Sequence, residues 1–165
     1  MEALARVESL AIHQVKEWGE ILSGFETRNN YRVMDPSGEE VLLVGEERGS
    51  VLARLFLKNH RPFTLRAMAG QETALLFRRP FRWFFSYLDV LDGSGAAIGS
   101  VTREFALLRR VYTVRDAAGR LCFTLFGPVL RPWTFRIMEE DREVGLIQKQ
   151  WSGMLKEAFS DADNF

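Results

Sequence analysis

The feature that most constrains this chain is a spacing that recurs five times. An aromatic or apolar residue is followed four positions later by a turn residue and seven positions later, in most copies, by glycine. Tyr31, Asp35 and Gly38 show it, as do Leu88, Asp92 and Gly95, and Tyr112, Asp116 and Gly119. Phe63, Ala67, Gly70 and Phe135, Glu139, Arg142 keep the spacing with weaker turn chemistry. The five starts lie 32, 25, 24 and 23 residues apart. This is β-hairpin chemistry. An Asp at the first turn position accepts a hydrogen bond from the backbone two residues on, and a Gly three positions later takes the left-handed conformation that returns the chain to a strand. Asp35-Pro-Ser-Gly38, Asp92-Gly-Ser-Gly95 and Asp116-Ala-Ala-Gly119 each fit a type I turn closed by a glycine bulge.

The flanks alternate as strands must. Tyr31/Val33, Phe63/Leu65, Tyr112/Val114 and Phe135/Ile137 fall on one side, with Arg32, Thr64, Arg66, Thr113, Arg115 and Arg136 opposite. Five successive hairpins predict a mainly β chain, an antiparallel meander of ten or more strands. So many strands usually close on themselves, because closure removes the unpaired edges, so a barrel is expected. The second strands are apolar on both faces: Val41-Leu-Leu-Val44, Ala74-Leu-Leu-Phe77 and Leu121-Cys-Phe-Thr-Leu-Phe126. They call for cover outside the barrel and filling inside it. A barrel of about twelve strands is too wide for its own side chains to fill. A further segment, an oligomer or a bound apolar ligand would supply the filling. Helix is scarce: Met1–Glu8 fits a turn or two, Ser9–Val15 alternates like a strand, and Trp151–Ala158 reads as a short helix or an extended return. Without a Pro/Gly/Ser-rich linker, residues 1–165 read as one domain.

Composition removes most catalytic classes. One cysteine, Cys122, excludes an internal disulfide and fits a reducing compartment. With His13 and His60 it cannot make a zinc site of the usual kind. There is no nucleophile elbow, no phosphate-cradling glycine loop and no paired histidine motif, so the chain does not read as an enzyme. Apolar runs such as Leu121–Phe126 fall far short of the ~20 residues a membrane-crossing helix needs. No charged segment followed by an apolar one opens the chain, which speaks against a cleaved secretory signal.

The net charge is zero, but unevenly composed. Residues 1–53 carry −5, residues 54–85 carry +6 from seven Lys or Arg against one Glu, and residues 86–165 carry −1. A basic middle on a neutral chain fits a local anionic partner, and no nucleic acid is expected. Within that middle, Arg-Pro-aromatic steps occur at Arg61-Pro-Phe63 and Arg79-Pro-Phe81, with a third at Arg131-Pro-Trp133. Proline fixes φ and lacks a donor, so each step suits a strand's first residue or an edge. The second step continues as Phe81-Arg-Trp-Phe-Phe85, grouping Arg78, Arg79 and Arg82 with Trp83, Phe84 and Phe85. Two readings are open: a loop lying on an anionic membrane, with arginines at the phosphates and rings at the headgroup boundary, or a core strand with its aromatics inward. At the far end, Asp161 and Asp163 stand at alternate positions, as carboxylates do at the start of hard-cation loops, though two carboxylates and Asn164 do not complete a calcium site.

Four stretches carry a resemblance: Leu10-Ala-Ile-His-Gln14; Ile21-Leu-Ser-Gly-Phe-Glu-Thr27 with Asn30-Tyr31; Arg61-Pro-Phe-Thr-Leu-Arg66; and the fifteen-residue Trp151-Ser-Gly-Met-Leu-Lys-Glu-Ala-Phe-Ser-Asp-Ala-Asp-Asn-Phe165. In this order they resemble the phospholipid scramblase family. The resemblance implies a tubby-like fold, a twelve-stranded barrel around a central hydrophobic C-terminal helix, and a calcium-dependent, energy-independent movement of phospholipids between leaflets. It also implies association with the cytoplasmic face of the plasma membrane. A non-transporting module that binds anionic lipid headgroups is the other function tubby-like folds bring. In the family, the Asp-Ala-Asp-Asn-Phe stretch leads into a longer acidic calcium segment and then the apolar helix. This chain stops at Phe165, so the resemblance implies truncation before that helix and an incomplete metal site at Asp161 and Asp163. The family's lipidated cysteines follow an Arg-Pro step; here Arg79-Pro80 is followed by Phe81–Phe85 without cysteine, leaving aromatic anchoring as the substitute.

Overall fold

Three aspartates build their turns in the same way. The Oδ1 atoms of Asp35, Asp92 and Asp116 each accept two backbone N–H bonds of 2.9–3.0 Å, from the residues two and four positions on. Gly38, Gly95 and Gly119 donate their N–H to the aspartate carbonyl at 3.0 Å. Their φ values of 82°, 89° and 80° are those a left-handed bulge position requires. Ser37 and Ser94 add hydroxyl donors at 2.6 Å, while at Asp116 the Nε of Arg120 takes that place at 2.7 Å. All these donors favour the ionised carboxyl and hold it below its ordinary range. The leading cause is the serine hydroxyl at Asp35 and Asp92, and the Arg120 backbone N–H at Asp116.

That depression sets a pH dependence. A carboxyl whose pKa is lowered on folding contributes stability that is complete above its unfolded value and is lost as pH falls through the folded one. The melting temperature is therefore expected to drop once pH passes below about 4. A triple Asp35/Asp92/Asp116→Asn variant should melt below the parent at neutral pH and converge on it at about pH 2. A parent–variant gap that stays constant down the titration would show that the turns do not carry this linkage.

The other two hairpins turn differently because they lack the aspartate. Gly70-Gln71 and Glu140-Asp141 are two-residue turns, with φ of 60° at Gly70 and 52° at Glu140. Positive φ at the first central position alone matches a type II′ turn. In the fifth hairpin a glutamate therefore holds the position that glycine occupies elsewhere.

The computed structural model describes residues 7–15, 30–47, 62–81, 86–131 and 133–149. Within them run eleven strands: β1 (Ala11–Val15), β2 (Asn30–Met34), β3 (Glu40–Glu46), β4 (Phe63–Ala69), β5 (Glu72–Arg79), β6 (Tyr87–Asp92), β7 (Ala97–Glu104), β8 (Arg109–Asp116), β9 (Leu121–Pro128), β10 (Thr134–Glu139) and β11 (Arg142–Gln148). They form one antiparallel sheet in chain order. The meander is as the spacing predicts. Closure is not: among the described residues no ladder joins β1 to β11, and the strands number eleven against the expected twelve or so. Ser9–Val15 supplies β1, whereas residues 1–6 and Trp151–Ala158 lie outside the described residues. The Arg-Pro steps divide. Pro62 precedes β4, but Pro80 follows β5, where a residue without N–H ends the ladder rather than starting one.

The doubly apolar strands are resolved by register. Every hairpin carries one unmatched residue in its second strand: Val41, Ala74, Ile98, Cys122 and Val144. Each bulge resets the alternation. Leu42 and Val44 then share a face with Val33 and Tyr31, Leu75 and Phe77 with Ala67 and Leu65, and Phe123 and Leu125 with Val114 and Tyr112. On the other face Leu43, Leu76 and Phe126 each stand between an arginine and an apolar residue: Arg32 and Met68, Arg66 and Leu91, Arg136 and Val111. Arginine stems are apolar and their heads charged, so they cover part of this face, where Leu91 is also buried. The heads meet carboxylates, Arg32 with Glu40 at 3.1 Å, Arg66 with Glu47, Arg136 with Glu143 at 3.7 Å. The buried core lies on the apolar face, with Val33, Leu42 and Ala67 at its centre and Val44, Leu75 and Phe77 packed against them.

Antiparallel order also sorts the connections. The five tight turns share one end of the sheet, and the β7–β8 and β9–β10 connections leave from the other, where β3 and β5 also end.

Candidate functional site

Arg78 and Arg79 of the arginine–aromatic cluster sit at the end of the sheet opposite the tight turns, but strand geometry divides them. Arg78 and Arg79 close β5 as neighbours, so they point to opposite faces. Arg78 lies on the charged face beside Asp89 of β6, Nε to Oδ2 3.7 Å, with its side chain 59% exposed. Arg79 lies on the apolar face, its guanidinium carbon 5.5 Å from the ring centroid of Phe63, its ladder partner. Phe81 follows, exposed. Arg82, Trp83, Phe84 and Phe85 lie outside the described residues, as do Asp161 and Asp163. His13 is exposed on β1, in register with Arg32. Among the described residues no group of three or more His, Cys, Asp or Glu is placed to hold a metal ion, and no helix is long and apolar enough to cross a membrane.

Two further connections at this end hold large apolar side chains in solvent. In the β7–β8 connection they are Phe105, Leu107 and Leu108, and in the β9–β10 connection Val129 and Leu130. Sequence reasoning did not single these out. Phe105-Ala-Leu-Leu108 is an apolar run without turn residues and reads as core by hydropathy alone.

The base of these connections is pinned. Arg109 is in register with Pro128, and Arg110 with Gly127. Gly127 has no side chain, and the ring of Phe135 occupies the space a Cβ would need, 2.5 Å from its ideal position. The Arg110 guanidinium lies 4.4 Å from the Phe135 ring centroid and its Nη2 donates to the Arg131 carbonyl at 3.4 Å. Tyr112 meets the same ring edge-on at 5.8 Å. On the far side the buried Lys149 places Nζ 5.0 Å from the Trp133 ring, and its N–H donates to the Trp133 carbonyl at 3.0 Å. Cations over ring faces at these distances are attractive and stiffen the connection.

Fold and site together define an antiparallel β-meander with polar tight turns at one end and cationic and exposed apolar side chains at the other. The chain belongs to the Scramblase family, whose model matches residues 1–165. It is 30% identical over 181 aligned positions to Phospholipid scramblase 1 of Mus musculus, covering 100% of this chain and 55% of that protein. Phospholipid scramblase 1 of Homo sapiens is also 30% identical, with 100% and 56% covered, and Phospholipid scramblase 2 of Homo sapiens 28%, with 100% and 60%. The resemblance drawn from four motifs thus extends along the whole chain. No solved structure matches it. The chain spans about half the length of the first of these relatives.

Proposed function

We propose that the chain works on phospholipid membranes without catalysing covalent chemistry, and that the whole protein moves phospholipids between leaflets in a calcium-dependent, energy-independent way. The observation that carries this is the family match over residues 1–165, with relatives named phospholipid scramblases. The chain's own part is reversible attachment to anionic membrane at the cytoplasmic face of the plasma membrane, through Arg78, Arg79, Arg82, Trp83, Phe84 and Phe85. Closure of the sheet into a tubby-like barrel belongs to the same proposal. One face is apolar across β2 to β10 and only partly covered, with Phe123 37% exposed, which supports curling around an apolar filling such as a helix or a bound ligand.

A second reading, a module that holds anionic headgroups and moves nothing, draws on the net +6 of residues 54–85. One preparation tests both. Flotation on phosphatidylcholine vesicles with and without phosphatidylserine measures attachment, and dithionite quenching of a fluorescent phospholipid measures transport. Attachment with calcium-stimulated quenching supports transport; attachment alone supports the headgroup module; absence of attachment overturns both.

Asp161 and Asp163 are proposed as the first carboxylates of the calcium site. Two carboxylates and Asn164 fall short of the six to eight oxygens calcium prefers, so calorimetry of this chain should give a dissociation constant in the millimolar range, on the order of 1 mM. Micromolar affinity lost in Asp163→Ala would show that the chain already holds a complete site.

A further inference from the structure

We infer that the paired tips of the β7–β8 and β9–β10 connections form a second membrane-docking element, which inserts apolar side chains into an anionic phospholipid surface. The inference rests on the membrane reading above and concerns a different set of residues from the β5–β6 cluster. Phe105, Leu107, Leu108 and Leu130 are 80%, 84%, 79% and 94% exposed, so their side chains stand in water with almost no protein contact. Single exposed apolar side chains are ordinary on a protein surface, but three leucines and a phenylalanine on two adjacent tips are not. The tips are adjacent because Arg109 pairs with Pro128 across β8 and β9, and Arg110 reaches the Arg131 carbonyl.

Charge and shape choose the partner. Exposed Arg109 and Arg131 stand at the base of the tips, where a cation would meet phosphates once the leucines and Phe105 had entered the acyl boundary. The apolar groups stand exposed on two short connections, which fits a fluid lipid surface that need not be complementary in shape. The Arg110–Phe135 and Lys149–Trp133 contacts stiffen the base, so little order remains to be imposed on binding. Arg78 and Arg79 close β5 at the same end of the sheet.

The test uses the full chain and vesicles of phosphatidylcholine with phosphatidylserine. A Leu107/Leu108/Leu130→Ser variant changes only exposed groups and should melt with the parent while its vesicle partitioning falls at least about tenfold. Arg109/Arg131→Gln should lower partitioning about fivefold per arginine on anionic vesicles and leave binding to pure phosphatidylcholine unchanged. Undiminished flotation of both variants, with the parent bound, overturns this inference and leaves the membrane reading standing. A parent that does not float at all overturns both. Loss of self-association in light scattering with unchanged flotation would assign the tips to a protein interface and overturn the lipid assignment.

Discussion

A chain carrying Gly127→Val is expected to melt roughly 10 °C below the parent, a loss of about 3 kcal/mol. The Cβ it adds would stand 2.5 Å and 2.7 Å from two ring carbons of Phe135 and 3.2 Å from Nη2 of Arg110. The Phe135 ring must leave, and with it go the stack of Arg110 on Phe135 and the edge contact to Tyr112. Overpacking of this kind costs about 1–3 kcal/mol, and each lost ring contact roughly 0.5–1.5 more. A double-mutant cycle with Phe135→Leu isolates the clash. The second change should recover part of the loss, since residues in contact are not additive. Strict additivity, or a Gly127→Val chain that melts with the parent, would place Phe135 elsewhere than over Gly127.

The second large effect concerns attachment. Replacing Arg78, Arg79 and Arg82 together by glutamine should weaken binding to anionic vesicles about 100-fold at low salt, from about 1 kcal/mol per arginine near the surface. Raising the salt to physiological strength shortens the Debye length to roughly 8 Å and should narrow the difference. The Arg78–Asp89 pair is exposed and worth under about 1 kcal/mol, and Arg79 over Phe63 about as much. Under the competing reading, in which Trp83, Phe84 and Phe85 are core, Trp83→Ala unfolds the chain instead of releasing it from vesicles. A folded triple variant that binds undiminished would remove this cluster from the membrane proposal.

What the sequence by itself determined is what local chemistry controls. An aspartate bonding its own backbone and a glycine taking positive φ act within five residues, so Asp35, Asp92 and Asp116 announce their turns without reference to the rest of the chain. The strand alternation is equally local, and the antiparallel meander follows from both. The four motifs that resemble the scramblase family lie in that same record.

Tertiary structure decided what depends on pairing. The bulges at Val41, Ala74, Ile98, Cys122 and Val144 exist only where two strands meet, and they turn strands that read as apolar on both faces into one apolar face and one face of arginines set against Leu43, Leu76 and Phe126. Register likewise decides which side each arginine takes, setting Arg79 against Phe63 on the apolar face and Arg78 against Asp89 on the other. Exposure is the least local property. Hydropathy cannot distinguish Phe105-Ala-Leu-Leu108 from a buried strand, because burial depends on what packs against a side chain; only the fold leaves Phe105, Leu107 and Leu108 in solvent beside Leu130.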